Sequence, residues 1–305
     1  MKFIHDLKKL LHDLAFSCTK ILPDKLYLKL LCLYSHRRIN LKNPKTFDEK
    51  LWWLKLNNRD PLLTICSDKL NVREYVRKCG YPEILVNQYG VFNDPDQIPF
   101  DNYAQEVIIK STSGSGKNVF FQYGRDDRDI PSIKKMFNKA LNQNPYYLSR
   151  EWNYKNIESK IIVEEVLRDS KGKCPLDYKF MCFDGEPKLL FLDVGLINDD
   201  NSYNHHYPRN IYDMEFNLLP VWETRPNADY TISKPINFDR MVEIARKLSA
   251  PFPHCRVDLY NVEGNIYFGE ITFYHGGGFN DIQPIEWSYK MGSWIDLYSN
   301  KIVRK

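Results

Sequence analysis

The chain has 305 residues, of which 43% are apolar and 27% charged, with a formal net charge of +4. This is a globular composition with length for one large or two ordinary domains, and its mild positive charge suits an anionic ligand or membrane surface without arguing for nucleic acid. Seven scattered cysteines with no CxxC point to a reducing cytosol and against a disulfide scaffold, and no apolar run reaches the roughly 18 residues that spanning a membrane requires.

Residues 1–38 read as one or two amphipathic helices. Phe3, Leu7, Leu10, Leu11 and Leu14 follow helical spacing, with the lysines off that stripe. Asp6, His12 and Asp13 interrupt any apolar core and no small-residue cleavage site follows, so this is not a signal peptide. Pro23-Asp24 restarts a helix over 25–34, ended by the basic patch His36-Arg37-Arg38. The segment is either a helical extension packed on the main body or an interfacial helix on an anionic membrane. Next, Thr46 is a good N-cap with Glu49 at the capping-box position, and Leu51, Trp52, Leu54 and Leu56 supply the apolar side. Arg59-Asp60-Pro61 breaks that helix, and another is expected over 68–78, closed by Gly80 and Pro82.

Short β candidates follow at 83–87 and 106–110. The loop Ser111-Thr112-Ser113-Gly114-Ser115-Gly116-Lys117-Asn118 joins the second of them to an apolar run at 119–123. It is not a P-loop. Ser111 stands where that motif needs Gly, Asn118 stands where it needs Ser or Thr, and a β-rich run follows where a helix should open. Two readings stay open: a plain hairpin loop, or a lid over phosphates offering backbone N–H groups and Lys117. Lys110, directly before the loop, either reaches phosphates under such a lid or sits in solvent at a sheet edge.

A helix and loop are expected over 131–149, then a strand over 161–167 carrying Glu164 and Glu165. Consecutive strand residues face opposite ways, so one carboxylate faces inward, where an adenine amino group or a ribose hydroxyl would meet it, unless the strand end enters solvent. Residues 177–184 and 187–194 form a hairpin through Gly185, with Lys179 mid-strand open to the same two readings as Lys110. Residues 198–235 are a long Asn/Asp/Tyr/Pro-rich loop of the kind that is commonly functional or disordered. Its His205 and His206, with Cys174 and Cys182, match no standard zinc spacing. A short helix is expected over 238–248.

The most informative stretch is 255–279. Runs at 256–260 and 265–274 flank a turn at Val262-Glu263-Gly264 and read as a β-hairpin. Arg256 and Asp258 share one face of the first strand; Glu270 and Thr272 share one face of the second. Carboxylates among apolar strand residues must be paired or metal-bound. The hairpin is therefore either a surface turn with an Arg–carboxylate salt bridge or a Mg²⁺-polyphosphate cradle. Residues 280–299 close the chain with Trp287, Tyr289, Trp294 and Tyr298.

The order of these features resembles the ATP-grasp superfamily, and more narrowly the TupA-like ATP-grasp ligases, named for teichuronopeptide synthesis and found with bacterial capsule and O-antigen genes. The resemblance rests on Asn43-Pro44-Lys45-Thr46-Phe47-Asp48-Glu49-Lys50-Leu51, on Asp68-Lys69 with Val72-Arg73-Tyr75-Val76, and on Lys110 with Ser113-Gly114-Ser115-Gly116. It continues through Glu164-Glu165 and Asp177-Tyr178-Lys179 to Arg256-Val257-Asp258-Leu259-Tyr260 with Phe268-Gly269-Glu270-Ile271-Thr272-Phe273, so that it covers about 40 to 290. It implies an α+β fold of two lobes clamping ATP, with a helical extension over 1–60, a first lobe with the Gly-rich lid over 61–167, and a second lobe over 168–305. By motif position it implies that Asp258 and Glu270 hold Mg²⁺, Glu270 bridging two ions, and that Arg256 stabilises the transferred phosphoryl group. Lys110 and Lys179 would contact ATP, Lys179 also serving in catalysis; Ser113, Gly114, Ser115 and Gly116 would form the lid; Glu164 and Glu165 would sit at the adenine hinge; Lys69 would lie on the acceptor or phosphate side. One departure is Thr272, where many such enzymes carry Asn; a hydroxyl can still ligate Mg²⁺ or hold its water.

The resemblance thus implies an ATP-dependent carboxylate–amine ligase working through an acyl phosphate. It would join an amino acid or other amine to a uronic acid carboxylate of a bacterial surface polysaccharide, or of a nucleotide- or lipid-linked precursor. The loop 198–235 and the segment Tyr274 to Gly278 are candidates for acceptor binding, although His275-Gly276-Gly277-Gly278 also reads as a flexible turn. The expected location is the cytoplasm, with residues 1–38 touching the inner face of the membrane. The alternatives are a glycosyltransferase or sugar kinase of the same pathway, and a non-enzymatic membrane scaffold. A glycosyltransferase should show a doubly wound βαβ pattern and often a DxD motif, and neither is visible.

Overall fold

A computed structural model describes residues 19–116 and 118–304. The stripe expected over Phe3 to Leu14 and the Lys117 side chain lie outside the described residues. The restarted helix runs Asp24–Tyr34. Thr46 opens the helix Phe47–Asn57 with a reciprocal capping box: its hydroxyl accepts from Glu49 N at 3.4 Å, and the Glu49 carboxylate accepts from Thr46 N at 3.0 Å. Arg59-Asp60-Pro61 ends that helix and also starts another, Pro61–Ser67, which sequence reading missed. Asp60 caps it by accepting from Leu62 N at 2.9 Å, and Pro61 occupies the first turn, where no N–H is needed. The helix expected from residue 68 begins at Val72 instead (Val72–Lys78), because the Asp68 carboxylate binds Leu70 N and Asn71 Nδ2 in a local turn. The strand expected at 83–87 also lies further on, at Gln88–Phe92.

Two antiparallel sheets carry the molecule. The first contains β1 (Gln88–Phe92), β2 (Val107–Ser111), β3 (Asn118–Phe121) and β4 (Ile161–Glu165) in the order β1-β4-β2-β3. The helix Ile130–Leu141 covers it, burying Ile133 and Phe137 with Val107, Ile109, Phe121, Ile161 and Val163. The second contains β5 (Asp177–Phe183), β6 (Glu186–Asp193), β7 (Arg209–Tyr212), β9 (His254–Val262) and β10 (Asn265–Thr272), in the order β10-β9-β5-β6-β7. β8 (Trp222–Glu223) and β11 (Ile282–Gln283) pair apart, and a further helix spans Ile285–Ser293. The stretch 198–235 is therefore not plain loop: it supplies β7 and β8.

The two faces of the five-stranded sheet differ. The helix Phe238–Ser249 covers one face through Met241, Ile244, Ala245 and Leu248, opposite Phe180, Cys182, Val257 and Leu259. On the other face, Phe183 and His254 pack against Phe47 of the first capped helix, while Asp177, Lys179 and Asp258 lie further along. Helices from Phe47 to Val76 join this larger core.

A β-bulge decides what β10 presents. Phe268 pairs with Leu259, yet Glu270, not Gly269, pairs with Asp258. In a regular ladder Glu270 would oppose Val257 and face the helix. The extra residue, Gly269, turns Glu270 onto the face that carries Asp258. A Cβ at Gly269 would stand 3.0 Å from Asp258 O and 3.2 Å from Tyr260 Cε2, so glycine lets the strands close here.

His254 makes the core acid-sensitive. Its Nδ1 lies 2.8 Å from Cys182 O, its Nε2 is buried without a partner, and it touches the rings of Phe47 and Phe183. Burial pushes its pKa down to about 3. A histidine depressed in the folded state contributes stability in full above its unfolded value near 6.5, and that stability is lost as pH falls toward the folded value. His254→Asn keeps a donor for Cys182 O and removes the titration. Urea unfolding from pH 7 to pH 4 should show a shallower loss in the variant, the difference reaching on the order of 3 kcal/mol; parallel curves would refute the assignment.

Candidate active site

Asp258 sits under two cations. Arg256 Nε reaches Asp258 Oδ1 at 2.6 Å and Arg256 Nη2 reaches Oδ2 at 2.6 Å, a bidentate pair, while Lys179 Nζ lies 2.9 Å from Oδ2. Arg256 Nη2 also donates to Glu270 Oε1 at 2.9 Å, and Thr272 Oγ1 donates to the same oxygen at 3.1 Å. Lys179 further pairs with Asp177 and lies 3.9 Å from Asp193 Oδ2. The five residues expected at the phosphate end of the site (Arg256, Asp258, Glu270, Thr272 and Lys179) are thus brought together on β5, β9 and β10.

The charges follow from burial and pairing. Burial opposes ionisation of Asp258, yet Arg256 and Lys179 hold its carboxyl down at about 2. Asp177 shares the same ammonium with other carboxylates; burial, followed by Asp258 and Asp193, pushes it up to about 6 against the pull of Lys179. Burial works against the charges of Lys179 and Arg256, but the carboxylates around each raise them above their ordinary values.

The second group lies on the four-stranded sheet. Glu164 is the inward carboxylate of its pair: it is buried, and accepts from Arg73 Nη1 at 3.1 Å and from Lys110 Nζ at 3.0 Å. Lys110 and Glu164 therefore engage each other. Glu165 accepts from Asn87 Nδ2 at 2.7 Å. In the Gly-rich loop, Ser113 is buried against Ser159, Gly114 and Gly116 have φ near +74°, and Ser115 and Gly116 are exposed at the tip. Lys69 joins the two groups. Its Nζ donates to Gly114 O at 2.7 Å, and burial lowers its pKa against the opposing fields of Glu270 on one sheet and Glu164 on the other.

Several residues that complete the charged face were not singled out from sequence. Arg209 forks onto Asp193, with Nε–Oδ1 at 2.5 Å and Nη2–Oδ2 at 2.9 Å, and pairs with Glu223. Glu223 meets His275 Nε2 at 3.0 Å, and His275 Nδ1 lies 2.9 Å from Arg256 Nη1. Arg209 and Glu223 were hidden in the irregular stretch, where no periodicity marked them. The turn after β10 is held by hydrogen bonds from three side chains. Lys55 Nζ donates to Gly277 O at 2.6 Å, Trp52 Nε1 donates to Gly278 O at 3.0 Å, and Asn280 Nδ2 donates to His275 O at 3.0 Å. Asp48, from the capped helix, in turn accepts from Asn280 N and Nδ2. The early motif thus buttresses the turn that carries His275.

The family model described as TupA-like ATPgrasp matches residues 49–296, most of the chain. The chain belongs to the TupA-like ATP-grasp family. No curated protein matches it significantly. Among solved structures, similarity is found to the ATP-grasp ligase PsnB complexed with minimal precursor, at 12% identity and a TM-score of 0.40 over 71% of this chain and 55% of that one. It is found also to D-cycloserine synthetase DcsG, at 16% identity and a TM-score of 0.41 over 70% of this chain and 64% of that one. A third is D-alanine–D-alanine ligase from Bacillus anthracis complexed with ATP, at 12% identity and a TM-score of 0.40 over 75% of this chain and 62% of that one. The chain thus spans between about half and two thirds of the length of each.

An ATP-grasp family implies Mg²⁺ and ATP, and the donors fit them. Glu270 is 36% exposed at its side chain and its Oε2 accepts from no described residue, leaving a carboxylate oxygen open beside Asp258. Among the described residues no group of three or more His, Cys, Asp or Glu side chains is placed to hold a metal. The adjacent carboxylates of Asp258 and Glu270 suit Mg²⁺, which is commonly held by one or two carboxylates together with substrate phosphates.

Proposed function

We propose that the chain is an ATP-dependent carboxylate–amine ligase acting through an acyl phosphate. The observation that carries this reading is the bulge-enforced register that sets Glu270 beside Asp258 under Arg256 and Lys179. Asp258 and Glu270 would hold Mg²⁺, with Thr272 orienting Glu270; the ion would neutralise phosphate charge. Arg256 has one Nη1 N–H left after its bonds to Asp258, Glu270 and His275, and this donor would meet the phosphoryl group in transfer. A substrate carboxylate oxygen attacks the γ-phosphorus and the bond to ADP breaks. An amine then adds to the acyl carbon, phosphate leaves, and the amine loses its proton. Lys179 and Lys110 would bind phosphates, Lys110 by exchanging Glu164 for ATP. Lys69 and the loop Ser113, Gly114, Ser115 and Gly116 would close over them and exclude water from the acyl phosphate. Glu164 and Glu165 would border the adenine. Of the lobe division at 61–167 and 168–305, behind an extension over 1–60, the separate core from Ile98 to Val163 supports a distinct first lobe there, whereas Leu63, Cys66, Val72 and Val76 pack with the second sheet.

The acceptor in this reading is a uronic acid of a bacterial surface polysaccharide or its linked precursor, supported by the family's namesake chemistry. Incubating the protein with Mg-ATP, glucuronate and a pool of amino acids tests it. Amine-dependent phosphate release with a product lighter by one water supports the ligase; a sugar phosphate would mean a kinase; no ATP consumption would refute it.

Gly269→Ala would push Glu270 out of register. The expected result is a fall in turnover of roughly 100-fold with an unchanged far-ultraviolet circular dichroism spectrum. Wild-type turnover would show that the bulge is dispensable.

Peripheral membrane contact belongs to the same proposal. No helix among the described residues is long and apolar enough to cross a membrane. The Asp24–Tyr34 helix turns Leu28 inward and Asp24 toward Tyr146 Oη, leaving Leu26, Leu30, Leu33 and Tyr34 exposed beside Lys25 and Lys29. Vesicles containing phosphatidylglycerol should sediment the wild type and lose a Leu30→Ser, Leu33→Ser variant; equal sedimentation of the two would exclude this face.

A further inference from the structure

We propose that His275 is the positioning residue for Arg256, locked as the neutral Nε2–H tautomer by Glu223 and Arg209. The inference rests on the ligase reading for the role of Arg256, but its geometry does not. A guanidinium offers only donors. Arg256 Nη1 stands 2.9 Å from His275 Nδ1, so that nitrogen must present its lone pair. The ring proton then sits on Nε2, where both Glu223 oxygens lie at 3.0 and 3.1 Å. Arg209 holds Glu223 and is itself forked onto Asp193, which closes a ring through Lys179 and Asp258 back to Arg256. Burial lowers the pKa of His275, in keeping with a neutral ring. The imidazole is fixed from the backbone as well, through Asn280 and Asp48.

A neutral anchor has a reason to exist here. Asp258 and Glu270 grip Arg256 in the structure, yet both are the residues that would turn to a divalent cation. When they do, their hold on the guanidinium weakens. His275 carries no charge to give to the cation, so its bond to Arg256 persists, and the free Nη1 N–H stays aimed while the carboxylates change partners. The strands β7 and β8 from the stretch 198–235 thereby serve phosphoryl transfer by supplying Arg209 and Glu223.

Two amides separate positioning from packing. His275→Asn places an amide oxygen where Nδ1 stands and keeps an acceptor for Arg256, but gives up the bond to Glu223. His275→Gln reaches Glu223 with its amide N–H and gives up the acceptor. Positioning predicts that kcat for ADP release, with Mg-ATP, glucuronate and amino acids, falls about tenfold further in Gln than in Asn, one hydrogen bond's worth of alignment. KM for ATP should stay within about twofold, and Tm should rank the other way, Gln above Asn. Activity that follows Tm, or a Gln variant at wild-type kcat, overturns the proposal. Nitrogen-15 NMR of the histidine ring needs no turnover, so it tests the tautomer even if the ligase reading fails. The Nε2–H form at pH 7 is expected; an Nδ1–H form or a doubly protonated ring would overturn it.

Discussion

Glu270→Gln is expected to abolish turnover, by on the order of 1000-fold or more, while the protein stays folded. The side chain is partly exposed, and among the described residues its hydrogen bonds are those received from Arg256 and Thr272. A neutral amide can still accept from both, so the fold loses little. It cannot bring negative charge to a divalent cation. Asp258→Asn is expected to act in the same way. The buried cluster holds three cations, Arg256, Lys179 and Arg209, against the carboxylates of Asp177, Asp193, Glu223, Asp258 and Glu270. Removing one negative charge leaves every cation a partner. Thermal unfolding and ATP-dependent phosphate release, measured side by side, check both variants. Near wild-type rate in either one would remove that residue from the site.

The largest effect on stability is expected at Lys179. Its ammonium is buried and shared by Asp177, Asp258 and, more distantly, Asp193. Lys179→Met keeps much of the volume and leaves those carboxylates facing one another. Breaking a buried pair from one side costs about 3–5 kcal/mol. The loss should depend on pH, with a definite sign. Burial already raises the Asp177 carboxyl to about 6, and without the lysine it rises further. A raised carboxyl binds its proton more readily in the folded state, so stability is gained as pH falls through that range. The gap between variant and wild type in urea unfolding should therefore narrow from pH 8 to pH 5, and Asp177→Asn added to the variant should recover part of it. A gap below about 1 kcal/mol at pH 8 would mean that Lys179 is not the charge that holds these carboxylates together.

The features legible in sequence were the local ones. The capping box at Thr46 and Glu49, the hairpin through Gly264, the glycine loop at 114 and 116, and the pairs Arg256/Asp258 and Glu270/Thr272 each depend on residues a few positions apart. Helix spacing, strand alternation and turn chemistry act over that range, and the order of the motifs along the chain pointed to the family. Tertiary structure decided what these pieces face. Gly269, as a bulge, brings Glu270 to Asp258; no alternation rule shows that, because one inserted residue reverses the face. Glu164 meets Arg73 and Lys110, and His275 meets Glu223 and Arg256, across separations that leave no periodic trace. Buried charges seek partners by distance in space, and one sequence read along its length specifies local geometry without saying which distant strand will supply the opposite charge.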